Sequence, residues 1–62
     1  MEISINEDEL TGTIERRLSK AGFALTSQGA GSVEFSNPKV KTPKQACIIL
    51  EKHDIETSLF TI

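Results

Sequence analysis

The feature that most constrains the fold is a glycine-rich turn between two segments in which apolar and polar residues alternate. The turn spans Gln28–Gly31, with one alternating segment before it and one after it. Glycine adopts the positive φ values of tight turns at little cost, so this pattern predicts a β-hairpin. The register predicts that one face of the hairpin packs in the core, and that face carries Phe23, Leu25, Val33 and Phe35.

A helix is predicted before the hairpin, over about residues 7–21. Asn6 is the expected N-cap, because its side-chain oxygen can accept a hydrogen bond from a backbone N–H of the first turn. One narrow face is apolar, since apolar residues recur at Leu10, Ile14 and Leu18. Gly22 is expected to end the helix in the left-handed conformation.

A second, shorter helix is predicted after the hairpin. Thr42 is its expected N-cap, Pro43 suits the first helical position, and Gln45 completes a capping box. This helix is expected to end near His53. Residues rich in strand-forming side chains precede the first helix and follow the second, so a short strand is expected near each terminus.

The resulting order of elements is strand, helix, strand, strand, helix, strand. We therefore expect a single α+β domain over residues 1–62, with two helices on one face of a four-stranded antiparallel sheet. This is the compact two-layer βαββαβ arrangement, the ferredoxin-like split βαβ fold. If the terminal strands do not pair, the remaining helix–hairpin–helix core is closer to the sheet of double-stranded-RNA-binding domains.

The net charge and the cysteine count exclude several classes of protein. Seven Lys and Arg against nine Asp and Glu give a net charge of −2, which is too weak to steer the chain to membranes or phosphate backbones. One cysteine, Cys47, excludes an internal disulfide and a cysteine zinc site. A free thiol suits a reducing compartment, and the first residues lack the pattern of a secretory signal. We therefore expect a cytoplasmic protein with no membrane partner.

The sequence contains no plausible set of catalytic residues. Cys47 precedes His53 by six positions on one predicted helix, which separates them by about 9 Å along the axis. That is too far for a thiolate–imidazole pair. Asp54 is adjacent to His53, and neighbouring helical residues point in different directions. We expect no enzymatic activity, no metal ion and no cofactor.

The C-terminal segment supplies the leading functional hypothesis. If the last strand is regular, alternation places Phe60 and Ile62 on the sheet face without helices. A bulge near residues 57–58 would instead turn them inward. On the regular register, we expect Phe60, Ile62, Glu34 and Glu56 to contact a protein partner. The expected function is that of a small regulatory, adaptor or inhibitor protein that binds a protein, or a second copy of itself, through its open sheet face or an edge strand.

A lysine cluster supports an alternative hypothesis. Lys39, Lys41 and Lys44 surround the start of the second predicted helix, where cations and backbone amides can bind phosphate groups. This alternative is a small RNA-binding module. Either function fits a short regulator from a phage or another mobile element.

Overall fold

Four strands, two α-helices and one 3₁₀ turn make up the fold. The structure, a computed structural model, describes residues 1–62. The elements are β1 Glu2–Asn6, α1 Gly12–Ala21, β2 Ala24–Gly29, β3 Ser32–Ser36, α2 Pro43–Lys52, the 3₁₀ turn Thr57–Leu59 and β4 Phe60–Thr61. The strands form one antiparallel sheet in the order β2-β3-β1-β4. The predicted α+β class, with two helices and a four-stranded antiparallel sheet, is confirmed.

The core lies on the face of the sheet against which the helices pack. Ile3 and Ile5 of β1 stand opposite Phe35 and Val33 of β3, and all four side chains are buried. The other buried apolar residues are Leu18, Phe23, Val40, Ala46, Leu50, Ile55 and Phe60. Because side chains alternate along a strand, the polar residues between the buried ones form the opposite, open face of the sheet.

Helix α1 begins later than the sequence predicts. Its N-cap is Thr11, whose Oγ1 accepts a hydrogen bond from the N–H of Ile14 at 3.2 Å. The prediction that Asn6 caps the helix is wrong, because β1 continues to Asn6 and pairs it with Ser32. Asn6 still makes the local bond that suggested a cap: its Oδ1 accepts from the N–H of Asp8 at 3.1 Å. That bond stabilises a turn after β1 instead of a helix.

The end of α1 is as predicted. Gly22 caps the helix with a φ of 97°, and the N–H of Phe23 donates to the carbonyl of Leu18 at 2.9 Å. A Cβ on Gly22 would lie 3.1 Å from Nδ2 of Asn37. Glycine is therefore required here both by its backbone conformation and by a close neighbour.

Asn37 is the one buried polar residue, with 2% of its surface exposed. Its Nδ2 donates to the carbonyl of Ala21 at 3.1 Å, and its Oδ1 accepts from the N–H of Lys39 at 3.0 Å. Its own carbonyl accepts from the amino group of Met1 at 3.0 Å and from the N–H of Val40 at 3.1 Å. Asn37 thus joins the end of α1, the start of β1 and the connection from β3 to α2.

Helix α2 begins with the predicted cap. The Oγ1 of Thr42 accepts from the N–H of Gln45 at 3.2 Å, and Pro43 occupies the first turn. The Oε1 of Gln45 accepts from the N–H of Lys41 at 2.7 Å, one residue before the partner that a standard capping box uses. Both α-helices have ten residues. Neither is long and apolar enough to cross a membrane.

The predicted hairpin is present, although Leu25 is exposed and not part of the core. Gly29 pairs with Ser32, and the two turn residues, Ala30 and Gly31, have φ values of 54° and 81°. Leu25 is opposite Phe35 but is 51% exposed, so its predicted place in the core is wrong. The reason is the strand order: β2 is an edge strand, and no residue of it is buried.

Candidate functional site

The most accessible backbone of the sheet lies along its edge strand β2. All six residues of β2 are exposed, and none is charged or proline. The opposite edge is β4, which has only two residues. Proteins usually protect an edge strand with lysine, proline, a bulge or a short length. Of these devices β2 has only a bulge, at Thr26, where the register shifts between Leu25 and Ser27.

The hairpin geometry shows which backbone groups of β2 face outward. Positive φ at both Ala30 and Gly31 is typical of a two-residue type I′ turn. The pair that closes such a turn, Gly29 and Ser32, is hydrogen-bonded, and hydrogen-bonded pairs alternate with non-bonded pairs along the ladder. Gln28, one residue further on, therefore directs its N–H and its carbonyl away from β3. These groups are free to pair with another strand.

The open face beside β2 carries hydroxyl groups and carboxylates. The register of β1, β2 and β3 places on it chiefly Glu2, Ser4, Ser27, Ser32, Glu34 and Ser36. The hydroxyl of Thr26 lies 3.3 Å from Oε2 of Glu2 and 3.3 Å from the carbonyl oxygen of Glu34, and either oxygen can accept a hydrogen bond from it. The carboxylate of Glu2 thus reaches across β3 to the edge strand.

No cation neutralises these two carboxylates. The single ion pair of the protein joins Arg17, in the middle of α1, to Asp54, just after α2, at 3.8 Å. None of the four strands contains lysine or arginine. The open face is therefore acidic beside β2.

The residues predicted for protein binding do not form one surface. Phe60 pairs with Ile5 in the sheet and is only 9% exposed, so the expectation that it lies on the open face is wrong. The physical reason is the 3₁₀ turn Thr57–Leu59, which shifts the alternation and turns Phe60 into the core. The alternative expectation was a bulge near residues 57–58 that turns Phe60 and Ile62 inward. Phe60 does turn inward, but the irregularity is a 3₁₀ turn and Ile62 stays 36% exposed.

The other three predicted residues are separated from one another. Ile62 follows β4 and is 36% exposed. Glu56 is exposed and precedes the 3₁₀ turn, whereas Glu34 is half-buried on the open face of β3. Because β1 lies between β3 and β4, Glu34 belongs with the β2 side of the sheet. Of the four, Glu34 is the one beside the exposed edge.

The three lysines of the alternative hypothesis are exposed around the start of α2. The backbone N–H groups of Lys39 and Lys41 are used within the loop, by Oδ1 of Asn37 and Oε1 of Gln45. The side chain of Lys44 belongs to the first turn of α2 and has no ion-pair partner. No exposed aromatic ring accompanies them, because all three phenylalanines are buried.

The residues considered for catalysis lie on α2. Cys47 is a half-buried free thiol, and His53 is the C-cap residue of the helix. No three His, Cys, Asp or Glu side chains are grouped closely enough to hold a metal ion. The surface has no pocket.

The sequence predicts binding through an edge strand but does not indicate that β2 is that strand, because its alternation assigns Leu25 to the core. One signal was present: the run Ala24–Gly29 has no charged residue in a chain of which 26% is charged. Comparisons of the chain with models of protein families, with curated proteins and with solved structures gave no match.

Proposed function

We propose that this protein is a small non-catalytic interaction module, a regulator, adaptor or inhibitor, that binds a protein partner by adding one of its strands to β2. The observation that carries the proposal is the edge itself: six exposed, uncharged residues, among which Gln28 directs its N–H and its carbonyl away from β3. An extended segment of a partner gains main-chain hydrogen bonds along such an edge, and its alternate side chains provide specificity.

The proposed fold is the ferredoxin-like split βαβ arrangement. Its support is the strand order, because β3 lies between β1 and β2, which α1 connects, and β1 lies between β3 and β4, which α2 connects. Both connections therefore skip one strand, which leaves β2 and β4 as the edges. The longer edge, β2, is the one with room for a partner.

The compartment we propose is the cytoplasm. Its support is the unpaired thiol of Cys47, which suits a reducing environment.

The test uses a variant that blocks the edge and leaves the fold intact. Gln28→Pro removes the outward N–H, and proline is tolerated on an edge strand where the N–H faces solvent. Gln28→Ala is the matched control, because it removes the same side chain and keeps the N–H. Far-UV circular dichroism and thermal unfolding establish that both variants fold.

Tagged wild type and both variants are used to capture proteins from nuclease-treated lysate of the source organism. We expect the wild type and Gln28→Ala to retain the same partner at equal stoichiometry, and Gln28→Pro to lose it. A folded Gln28→Pro protein that retains the partner as well as the control does would show that β2 is not the binding edge.

RNA binding through Lys39, Lys41 and Lys44 is the second candidate. Its support is the exposure of three lysines within six residues and the absence of an anionic partner for any of them. It requires affinity for RNA that falls steeply between low and physiological salt and is weakened by Lys41→Glu. Affinity that is insensitive to salt would exclude it.

A further inference from the structure

We infer that the strand accepted at β2 comes from a protein segment in which basic residues, lysine or arginine, alternate with apolar ones. This inference rests on the proposed strand addition and adds the chemistry of the partner. It follows from the side chains beside β2, which are carboxylates on the open face of the sheet and Leu25 on the helix side.

The open face selects for basic side chains. Glu2 stands opposite Ser36, and Glu34 stands opposite Ser4, so the two carboxylates are diagonal neighbours on adjacent strands. No lysine or arginine lies on any strand. An added strand would extend this face and place every second side chain on it. A cation at those positions meets two unpaired negative charges, whereas a third carboxylate would be repelled.

The carboxylate of Glu2 brings charge within reach of the added strand. Its Oε2 lies 3.3 Å from the hydroxyl of Thr26, which is on the edge strand itself. Neighbouring strands are about 4.8 Å apart, so a lysine or arginine side chain of the partner can span the distance from its own backbone. The hydrogen bond to Thr26 thus directs the side chain of Glu2 from β1 toward the edge where the partner strand would lie.

The opposite face of the edge selects for apolar side chains. Leu25 lies on the helix side, opposite Phe35, and is 51% exposed. A partner side chain on this face would cover Leu25 and extend the core by one strand. Together the two faces specify the alternation: basic residues on the open side and apolar residues on the helix side.

A second copy of the chain does not have this chemistry. Pairing β2 with β2 of a copy would join two open faces, each with two carboxylates and no cation. Like charges on one continuous face destabilise such pairing. The charge pattern therefore favours a basic segment of a different protein over self-association.

The test is a selection from a displayed library of random ten-residue peptides on the immobilised wild-type protein. We expect the enriched peptides to alternate lysine or arginine with apolar residues and to lose binding to Gln28→Pro. The most enriched peptide is then synthesised, together with a version in which glutamine replaces each basic residue. Affinities are measured at low salt by titration of ¹⁵N-labelled protein.

Two matched double variants isolate the charge effect. Glu2→Gln with Glu34→Gln removes the open-face carboxylates, whereas Glu15→Gln with Glu51→Gln removes two exposed carboxylates from the helices. Exposed ion pairs are individually weak, so we expect the first variant to bind the basic peptide about fivefold more weakly than wild type, and the second less than about twofold. The glutamine version of the peptide should bind both double variants and wild type alike.

The outcomes separate the two proposals. Enriched peptides without basic residues that still require an unblocked edge would overturn the charge selection and leave strand addition standing. Enriched peptides that bind Gln28→Pro as well as wild type would overturn both. A library that yields no enriched sequence would also overturn both, since the predicted pattern is among its members.

Discussion

Replacement of Asn37 by aspartate tests whether its buried side-chain amide holds the end of α1 to the connection from β3 to α2. Asn37→Asp preserves the size of the side chain and keeps an oxygen to accept from the N–H of Lys39. It removes the N–H donor to the carbonyl of Ala21 and places a second oxygen about where Nδ2 lies, 3.1 Å from that carbonyl. The site is 2% exposed, so water cannot compensate.

The magnitude follows from these contacts. A lost hydrogen bond costs about 1 kcal/mol, and an unsatisfied buried acceptor costs about 1–3 kcal/mol more. We expect Asn37→Asp to lower the free energy of unfolding by about 3 kcal/mol. A domain of this size has about 3–9 kcal/mol of stability in total. The midpoint of thermal unfolding should fall by at least about 10 °C.

The assay is urea unfolding followed by far-UV circular dichroism, because the chain has no tryptophan or tyrosine for fluorescence. Asn6→Asp is the matched control. Asn6 is exposed and uses only its Oδ1, which aspartate retains. This control should change the free energy of unfolding by less than about 0.5 kcal/mol. Equal losses in the two variants would refute the role assigned to the buried amide.

Three further predictions concern single positions. Ala30→Asn should raise the free energy of unfolding by about 0.5–1 kcal/mol in urea melts, because asparagine tolerates the φ of 54° better than alanine does; an unchanged or lower value would contradict the turn assignment. Gly22→Ala should lower it by roughly 1–3 kcal/mol, because the residue has a φ of 97° and its Cβ would meet Asn37. Phe60→Ala should lower it by about 3–5 kcal/mol in thermal unfolding, because the ring belongs to the core. Ile62→Ser, at a site 36% exposed, should cost far less, and equal costs would mean that Phe60 is not buried as described.

Local chemistry explains why some elements were predictable. Three predicted features depend only on residues within a few positions of each other, and the structure contains all of them. They are the helix caps at Gly22 and Thr42 and the turn at Ala30–Gly31. The start of α1 was missed because two signals compete there. Asn6 can cap a helix or form a turn, and only its pairing with Ser32, a long-range contact, decides between them.

The candidate site was less predictable than the fold. Alternation assigned Leu25 to the core and Phe60 to the open face, and both assignments were wrong. Leu25 is exposed because its strand is at the edge, which depends on the strand order. Phe60 is buried because a 3₁₀ turn precedes it, and such a turn changes the register without a distinctive residue pattern. Of the four residues expected to bind a protein, Glu34 lies on the open face beside β2, and its binding role stays a prediction.

Amide hydrogen exchange along β2 tests the central claim most directly. In the free protein, we expect the outward N–H of Gln28 to exchange far faster than the N–H groups of Ser27 and Gly29, which face β3. Addition of the most enriched basic peptide should slow exchange at Gln28 and leave the pattern on β4 unchanged. An N–H of Gln28 that is already protected in the free protein, or that stays unprotected when the peptide is bound, would contradict strand addition at this edge.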